Sequence, residues 1–252
     1  MPFVGSTAIV TGGASGIGLA ISERLARDGA KVAIFDVDLE AAERAAQGIR
    51  DKGGEALACA VDVSNRAQVD EAVAATRTRL GPVLVLVNGA GKDGFDQFMD
   101  ITPEQWERII AVNLTGTFHC TQSALPDMLE AKWGRIVNIS SSGAQTGAVS
   151  MAHYSASKGG VIALTKTLAL ELGPRGITVN TIPPGAIDTP MSRRAAAEGR
   201  FGGGTLDDVG RHLPVRRVGV PDDIAAACAY LVSDEAGYVT GQIIGVNGGR
   251  VT

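Results

Sequence analysis

Short apolar runs alternate with longer amphipathic stretches along the whole chain. A short apolar run rich in β-branched residues predicts a strand, and apolar positions that recur every three or four residues predict a helix. The predicted strands are Thr7–Val10, Lys31–Phe35, Ala56–Val61, Val83–Val87, Arg135–Ile139, Ile177–Ile182 and Gln242–Val246. The predicted helices are Ile17–Arg27, Leu39–Lys52, Gln68–Leu80, one long helix over Pro103–Ala131, His153–Leu172 and Pro221–Ser233.

Strands that alternate with helices predict right-handed βαβ units and a parallel sheet with helices on both faces. The run Val83–Val87 is apolar throughout, as expected for a strand buried on both sides. Thr102 is a candidate N-cap, and Pro103 suits the first helical position. No linker or charge run divides the 252 residues, so we predict a single α/β domain with a doubly wound (Rossmann) sheet of about seven strands.

Residues 189–214 are the one long stretch predicted to be irregular, and we interpret them as a mobile flap over a substrate pocket. The run Gly202-Gly203-Gly204 favours flexibility, and Phe201 lies next to it. Arginines in this flap are candidates for binding a phosphate or carboxylate, although a solvated loop surface is the interpretation that we favour. They are Arg193, Arg194, Arg200 and Arg211.

A glycine-rich loop follows the first predicted strand and opens the first helix. Its glycines permit a tight turn that brings backbone N–H groups to a diphosphate, and the helix N-terminus favours negative charge. A glycine-rich loop by itself is a weak signal, but its position between strand and helix predicts a dinucleotide site. The candidate residues are Gly12, Ser15, Gly16, Ile17 and Gly18.

Asp36 ends the second predicted strand. A carboxylate there can accept hydrogen bonds from both adenosine ribose hydroxyls, and it would repel a 2′-phosphate. Ala14, Ser15 and Val37 supply no cation for that phosphate, so the sequence favours NAD over NADP. Asp36 is also a candidate cap of the helix that begins near Leu39, which is compatible with the first role.

The ends of the third and fourth strands carry further cofactor candidates. Asp62 and Val63 end the third strand, where a carboxylate can bond the adenine amino group, although a plain N-cap is an open alternative. Asn88-Gly89-Ala90-Gly91 ends the fourth strand, and its small residues allow the backbone to lie close to a cofactor.

Tyr154 and Lys158 are four residues apart on a predicted helix and therefore project from the same face. A free phenol has a pKa of about 10, and a nearby ammonium stabilises the phenolate and lowers that pKa. Such a pair suits general acid–base chemistry on an alcohol or ketone. The same spacing is common on helices, so the pair needs support from its context.

Composition and charge exclude several other classes of function. The net charge is −4 and there is no basic block, which argues against nucleic-acid and membrane-surface binding. No apolar run reaches transmembrane length, and Met1–Ser6 is too short and polar for a signal peptide, so we expect a cytoplasmic protein. The cysteines and histidines are dispersed, which predicts reduced thiols and no metal site. They are Cys59, Cys120, Cys228, His119, His153 and His212.

These motifs occur in one order that resembles the short-chain dehydrogenase/reductase family over essentially the whole chain. The combination is specific, although its individual parts are not. It comprises the glycine loop, Asn88-Gly89-Ala90-Gly91, Asn113, Ser140-Ser141-Ser142, Tyr154-Ser155-Ala156-Ser157-Lys158 and Pro184-Gly185. Gly89 is a departure, because many relatives carry a second asparagine there, and Pro183 makes an unusually stiff Pro-Pro entry to the next loop.

The resemblance implies roles for individual residues. Tyr154 would be the catalytic acid/base, Lys158 would bond the nicotinamide ribose, and Asn113 would complete a proton relay through a water. Ser141 lies thirteen residues before Tyr154 and would hold the substrate oxygen, whereas Ser140 and Ser142 would be mainly structural, with contact between Ser142 and the substrate as an alternative. Residues that would line the nicotinamide, its carboxamide or the diphosphate are Pro184, Gly185, Ile187 and Thr189.

The implied reaction is NAD(H)-dependent hydride transfer between a secondary alcohol and a ketone. The branch it resembles contains 3-oxoacyl reductases and alicyclic hydroxyacyl-coenzyme A dehydrogenases, so a hydroxyacyl-coenzyme A or alicyclic substrate is expected. Lys132 and Arg175 occupy places where acyl-carrier-protein reductases carry a basic docking pair, which keeps that activity as an alternative. A non-catalytic dinucleotide-binding regulator and an extended-type epimerase are further alternatives. The resemblance also implies a homotetramer, formed through Pro103–Ala131, Ala152–Gly173 and Gly241–Gly249.

Overall fold

Six parallel strands form the sheet in the computed structural model, which describes residues 5–200 and 204–252. Their spatial order is β3-β2-β1-β4-β5-β6, so the chain reverses its direction of winding between β3 and β4. This reversal leaves a crevice beyond the carboxyl ends of β1 and β4. The strands are β1 Thr7–Thr11, β2 Lys31–Asp36, β3 Ala56–Ala60, β4 Val83–Asn88, β5 Gly134–Ile139 and β6 Ile177–Ile182.

Helices connect the strands and cover both faces of the sheet. The α-helices are α1 Gly16–Arg27, α2 Leu39–Asp51, α3 Arg66–Leu80, α4 Pro103–Ile110, α5 Gly116–Ala131, α6 Gly143–Thr146, α7 Ala152–Leu172, α8 Pro190–Ala197, α9 Leu206–His212 and α10 Pro221–Leu231. Short 3₁₀ turns occupy Phe98–Asp100, Gly173–Arg175 and Asp234–Ala236.

Alternate side chains of each strand enter two separate apolar layers. Val10 of β1 packs with Ile21 of α1 and Ile224 of α10, whereas the neighbouring Ile9 packs with Val69 of α3 in the opposite layer. All of these side chains are fully buried. Because the central strands are covered on both faces, their carboxyl ends are the part of the sheet left open for chemistry.

The predicted α/β class and its strand–helix alternation are confirmed, with three corrections to the predicted elements. The segment Gln242–Val246 is not a strand, because it meets the sheet only at the isolated bridges Thr181–Ile243 and Pro184–Val246. The predicted long helix is interrupted by a π-helical turn over Ala111–Thr115. The stretch 189–214 is not wholly irregular, since it contains α8 and α9; Phe201, Gly202 and Gly203 lie outside the described residues.

Local capping explains where several helices begin. The Thr102 hydroxyl accepts from the Gln105 N–H at 3.2 Å, and the Gln105 side chain accepts from the Thr102 N–H at 2.8 Å. This capping box, with Pro103 in the first turn, confirms the predicted start of α4. Thr189 and Thr205 form similar boxes at α8 and α9. Both flap helices are therefore started by local polar side chains.

The described cysteines are free thiols, and Cys120 and Cys228 are buried. Burial raises the pKa of both thiols to about 12, so they stay protonated near neutral pH. In residues 5–200 and 204–252 no helix combines the length and apolar character needed to cross a bilayer.

Candidate active site

The glycine loop joins the end of β1 to α1 and is packed too closely for larger residues. Gly12 has φ +64°, and a Cβ built there would lie 2.9 Å from the Cα of Ala90. A Cβ on Gly18 would lie 2.0 Å from the Gly12 carbonyl oxygen. Ser15 is the N-cap of α1, yet its side chain makes no capping hydrogen bond. The loop therefore presents backbone and one uncommitted hydroxyl at a helix N-terminus.

Asp36 ends β2, and its carboxylate lies against the glycine loop. It accepts a hydrogen bond from the Ala14 N–H at 3.2 Å and another from the Asp38 N–H at 3.2 Å. No lysine or arginine of the described residues forms an ion pair with it. The alternative that Asp36 caps α2 is wrong, because Asp38 is the N-cap and accepts from the Ala41 N–H at 2.9 Å.

Asp62 and Val63 follow β3, and the structure assigns each a local contact. The Asp62 carboxylate accepts from the Ser64 N–H at 2.9 Å and from the Ser64 hydroxyl at 2.6 Å. The plain N-cap alternative is wrong, because Asn65 caps α3. Val63 is buried, and its carbonyl lies 3.1 Å from His119 Nδ1. Asp62 thus shapes the turn at which the cofactor's adenine is predicted to bind.

The Asn88–Gly91 segment closes the other side of the loop. Thr11 Oγ1 accepts from the N–H of Gly89 at 3.1 Å and from the N–H of Ala90 at 3.0 Å. A Cβ on Gly89 would lie 2.8 Å from the Thr11 carbonyl oxygen, so a larger residue here would require the two segments to move apart. The buried Asn88 amide donates to Asn138 Oδ1 at 2.8 Å, while its own oxygen lacks a protein partner among the described residues.

Ser141 and Tyr154 are brought together from the end of β5 and the start of α7. The Ser141 hydroxyl favours a lower pKa for the Tyr154 phenol. Ser141 Oγ also accepts from the Gly143 N–H at 3.1 Å. Ser140 instead donates to the Lys158 carbonyl at 2.9 Å, which fits its expected structural role. A hydroxyl beside the phenol is the arrangement needed to hold a substrate oxygen.

The pKa of the Tyr154 phenol depends on its surroundings in the fold. Burial raises the pKa of the phenol, and the negative charge of Asp93 raises it further. The Lys158 Nζ donates to the Ile139 carbonyl at 2.9 Å. Burial also lowers the pKa of Lys158 to about 8. The predicted lowering of the Tyr154 pKa by Lys158 stays a prediction.

Asn113 lies in the π-helical turn and is fully buried. Its amide holds the Lys92 backbone from both sides, accepting from the N–H at 2.8 Å and donating to the carbonyl at 3.0 Å. It also donates to Ser157 Oγ at 3.0 Å. A Cβ on Gly91 would lie 3.2 Å from Lys158 Nζ and 3.5 Å from Asn113 Oδ1. The Lys158 ammonium and the Asn113 amide oxygen therefore both lie next to Gly91.

Pro184, Gly185 and Ile187 follow β6 and lie at the same end of the sheet. The Ser142 N–H donates to the Pro184 carbonyl at 2.9 Å, and the Gly185 N–H donates to the Val246 carbonyl at 3.2 Å. Ile187 is buried and pairs with Gly219 in an isolated bridge. The Thr189 hydroxyl caps α8, and its side chain lies 3.4 Å from a Cβ built on Gly16. The flap thus begins next to the glycine loop.

These features fit a dinucleotide. The crevice offers a cradle that Cβ atoms would fill at Gly12 and Gly18, the uncommitted Ser15 hydroxyl and the unpartnered oxygen of Asn88. The carboxylate of Asp36 lies at one end, and Lys158 lies at the other. The donor set matches a diphosphate flanked by two riboses.

Known proteins identify the family. The family model described as enoyl-(acyl carrier protein) reductase matches residues 12–250. The chain belongs to the short-chain dehydrogenase/reductase family. It is therefore an oxidoreductase that acts on CH–OH groups.

Members of this family with similar sequences include two dehydrogenases. The chain is 40% identical to 2-(S)-hydroxypropyl-CoM dehydrogenase 3 of Xanthobacter autotrophicus, with 95% of this chain and 94% of that protein covered. It is 39% identical to the (2S)-[(R)-hydroxy(phenyl)methyl]succinyl-CoA dehydrogenase subunit BbsD of Thauera aromatica, covering 96% and 95%. Among solved structures, a single-substitution variant of the actinorhodin polyketide ketoreductase with NADPH superposes with a TM-score of 0.93 at 38% identity, covering 97% and 96%.

Sequence reasoning missed several residues of this short-chain dehydrogenase/reductase site. Asp93 and Thr11 are single polar residues next to recognised motifs; the charge of Asp93 raises the pKa of Tyr154, and Thr11 accepts from the Gly89 and Ala90 amides. A threonine that ends a strand just before a glycine loop is a usable signal for the second. The π-turn around Asn113 has no counterpart in the hydrophobic pattern.

The flap arginines are mostly committed to acidic neighbours. Arg193 pairs with Asp188 at 2.6 Å, and Arg211 pairs with Asp208 at 3.0 Å. Arg200 pairs with Glu198 at 2.9 Å and donates to the Phe95 carbonyl at 2.7 Å. These pairs favour the solvated-surface interpretation over a phosphate site. Only Arg194 is exposed without an ion pair among the described flap arginines.

Proposed function

We propose that the chain is an NAD-dependent dehydrogenase that oxidises a secondary alcohol, carried on a coenzyme thioester or thioether, to the ketone. The observation that carries the coenzyme preference is the carboxylate of Asp36, bound to the loop amides of Ala14 and Asp38 without a neighbouring cation. A 2′-phosphate in that place would meet an unneutralised negative charge. The coenzyme-linked alcohols in the names of the two relatives support the substrate class.

The residues of the site supply proton transfer and orientation. Ser141 holds the substrate oxygen next to the phenol, and Tyr154 takes the hydroxyl proton during oxidation and returns it during reduction. Lys158 holds the nicotinamide ribose, and Asn113 carries the proton relay onward from Lys158. NAD⁺, when bound, would supply the hydride acceptor and a positive charge that favours the phenolate of Tyr154.

The remaining cofactor contacts follow the position of each residue around the crevice. Gly12, Ser15, Gly16, Ile17 and Gly18 bind the diphosphate; Asp62, Val63, Asn88, Gly89 and Ala90 line the adenosine side; and Pro184, Gly185, Ile187 and Thr189 line the nicotinamide. Their common location beyond the carboxyl ends of the strands supports this assignment.

Steady-state oxidation assays with NAD and NADP test the proposal. The panel is a set of 3-hydroxyacyl-coenzyme A esters, cyclic secondary alcohols and steroids. We expect NAD to give at least a tenfold higher kcat/KM than NADP, with turnover of the coenzyme-linked or cyclic alcohols. Preference for NADP would overturn the coenzyme assignment, and turnover of steroids alone would overturn the substrate class.

A second candidate function is reduction of a 3-oxoacyl group on an acyl carrier protein. A Cβ on Gly176 would lie 2.2 Å from the Lys132 carbonyl oxygen, so the turns that carry Lys132 and Arg175 touch each other. Two exposed cations at one place suit an acidic carrier. Faster turnover of a carrier-bound substrate than of its coenzyme A ester, abolished by Lys132→Glu with Arg175→Glu, would favour this function.

We also propose that the enzyme is a homotetramer in the cytoplasm. Trp106 of α4, Phe118 of α5 and Leu170 of α7 are exposed to 40%, 44% and 82%, which is unusual for large apolar side chains on the two predicted interface helices. The free thiols suit a reducing compartment. Light scattering is expected to give a mass of four chains, and a stable monomer would contradict the assembly.

A further inference from the structure

The first turn of α7 carries Tyr154 but has no cap of its own. Its N-cap residue, Met151, makes no side-chain capping hydrogen bond, and the turn contains no acidic residue. Ser150, just before it, has φ +61°, a left-handed conformation that is uncommon for residues other than glycine. Because the turn lacks local support, its position depends on contacts from elsewhere in the chain.

Asp96 supplies these contacts from the segment 92–97, which follows the Asn88–Gly91 motif. Its N–H donates to the Ser150 carbonyl at 2.8 Å. Its Oδ2 lies 3.4 Å from Nε2 of His153, the second residue of α7, whose side chain is only 1% exposed. A carboxylate at this place also interacts favourably with the partial positive charge of a helix N-terminus. The backbone and the side chain of Asp96 thus hold the loop before α7 and the first turn of α7 together.

Gly94 allows the segment to pass close to the imidazole ring. A Cβ on Gly94 would lie 2.4 Å from His153 Nε2 and 2.6 Å from its Cε1, so a larger residue would push the segment away from the ring. The other ring nitrogen, Nδ1, is buried without a hydrogen-bond partner among the described residues. The polar contact that orients the ring is therefore the one with Asp96.

The segment 92–97 is itself anchored on the side away from α7. The Asn113 amide accepts from the Lys92 N–H at 2.8 Å and donates to the Lys92 carbonyl at 3.0 Å. Arg200 of the flap donates to the Phe95 carbonyl at 2.7 Å. Asp96 therefore acts from a segment that the π-turn and the flap both hold in place.

We propose that Asp96 and His153 form a positioning pair for Tyr154, which fixes the first turn of α7 against segment 92–97 and so keeps the phenol beside Ser141. Neither residue acts on the substrate directly. This inference rests on the proposed oxidation of a secondary alcohol, in which Tyr154 takes the hydroxyl proton. Proton transfer needs the two oxygens within hydrogen-bond reach, so a small displacement of the first turn slows the reaction.

The first test removes the carboxylate. The Asp96 side chain is 32% exposed, so Asp96→Ala opens no cavity in the core. The assay uses the whole enzyme with NAD and the faster of two substrates, cyclohexanol and 3-hydroxybutyryl-coenzyme A. We expect Asp96→Ala to lower kcat by about 10–100-fold and to leave the KM for NAD unchanged. Asp96→Asn keeps an oxygen that can accept from the ring and should recover most of the loss. Asp100→Ala, on the exposed turn that follows, is the matched control and should leave kcat unchanged.

The second test changes the histidine and the close approach. His153→Met removes the polar contact while filling a similar volume, and it should lower kcat as Asp96→Ala does. His153→Gln keeps an N–H and should recover most of that loss. Gly94→Ala leaves both members of the pair intact but places a Cβ against the ring, so it should also lower kcat. Thermal unfolding of each variant shows whether it is folded.

A double-mutant cycle separates positioning of Tyr154 from a general structural role. If the pair acts through the phenol, Asp96→Ala should lower the residual kcat of the Tyr154→Phe enzyme by less than about twofold. A general loss of folded enzyme would instead lower kcat by the same factor in both backgrounds. Equal factors, or an unchanged kcat in both Asp96→Ala and His153→Met, would overturn this inference alone if the wild type is active. Absence of turnover of every secondary alcohol by the wild type would overturn the proposed function and this inference with it.

Discussion

The half of the site proposed to face the cofactor is built differently from the half proposed to face the substrate. On the cofactor side, contacts come from backbone groups within short stretches, such as the glycine loop and the two amides held by Thr11. On the substrate side, contacts join side chains far apart in sequence, such as Arg200 with Phe95 and His153 with Asp96. The geometry of a short stretch can be predicted from its motif. Contacts between side chains far apart in sequence depend on how the whole chain folds.

The largest effect is expected where the two halves meet, at Tyr154. Tyr154→Phe keeps the ring and removes the O–H, so it should lower kcat by about 10²–10⁴-fold while NADH binding is retained. Initial rates and fluorescence of bound NADH measure the two quantities. Tyr230→Phe, on the half-exposed face of α10, is the matched control. A fall in kcat of less than tenfold would contradict the role of Tyr154.

Asp36 lies wholly on the cofactor side, so changing it should leave substrate recognition untouched. Asp36→Asn is expected to raise the ratio of kcat/KM for NADP to that for NAD by about 10–100-fold, since each tenfold corresponds to about 1.4 kcal/mol of lost repulsion. The KM for the alcohol should stay unchanged. Asp51→Asn at the end of α2 serves as the control. An equal change in the alcohol KM would show that the two halves are coupled.

Gly12 tests whether the cofactor side depends on backbone shape. Gly12→Ala places a Cβ 2.9 Å from the Ala90 Cα at φ +64°, which should destabilise the protein by about 1–3 kcal/mol and weaken NAD binding. Thermal and urea unfolding measure the first, and titration measures the second. Gly48→Ala, whose Cβ would meet nothing within 4 Å in α2, is expected to stabilise by about 0.5–1 kcal/mol. Equal effects of the two variants would contradict the close-packing argument.

The smallest effect is expected at Arg200, on the substrate side. Its guanidinium lies 5.1 Å from the centre of the Phe95 ring and donates to the Phe95 carbonyl at 2.7 Å. Arg200→Ala should raise the alcohol KM by about 2–5-fold, the size of an exposed cation–π contact, and leave the KM for NAD unchanged. Arg211→Ala, in the same flap, is the control. A larger change in the NAD KM would place Arg200 on the cofactor side.

The contrast between the two halves also explains what could be predicted from the sequence. Strand and helix positions, the start of α4 and the place of the glycine loop follow from local periodicity and capping, and these are confirmed. The last predicted strand, Gln242–Val246, was wrong because an apolar run does not show whether a neighbouring strand lies in register to pair with it. The flap helices were missed because they are short, with eight and seven residues, although Thr189 and Thr205 signal their starts.

The site itself was predicted unevenly for the same reason. Ser141, Tyr154 and Lys158 are brought to one end of the sheet as expected, because each follows a strand or opens a helix. The pKa of Tyr154 was not predictable from its spacing to Lys158, since it depends on burial and on Asp93, a residue sixty-one positions earlier. An electrostatic effect between residues far apart in the chain leaves no periodic pattern in the sequence.

The π-turn at Ala111–Thr115 has a consequence for how this chain tolerates insertions and deletions. A π-turn amounts to one extra residue within an α-helical repeat. Deleting one residue from it would restore a continuous helix but would rotate one flank relative to the other by about 100°. Either Asn113 would leave the site or the buried face of α5, with Cys120 and Met128, would turn to solvent. The π-turn therefore lets Asn113 point into the site while the buried face of α5 still packs against the core. A one-residue deletion in this turn should be far more damaging than a substitution.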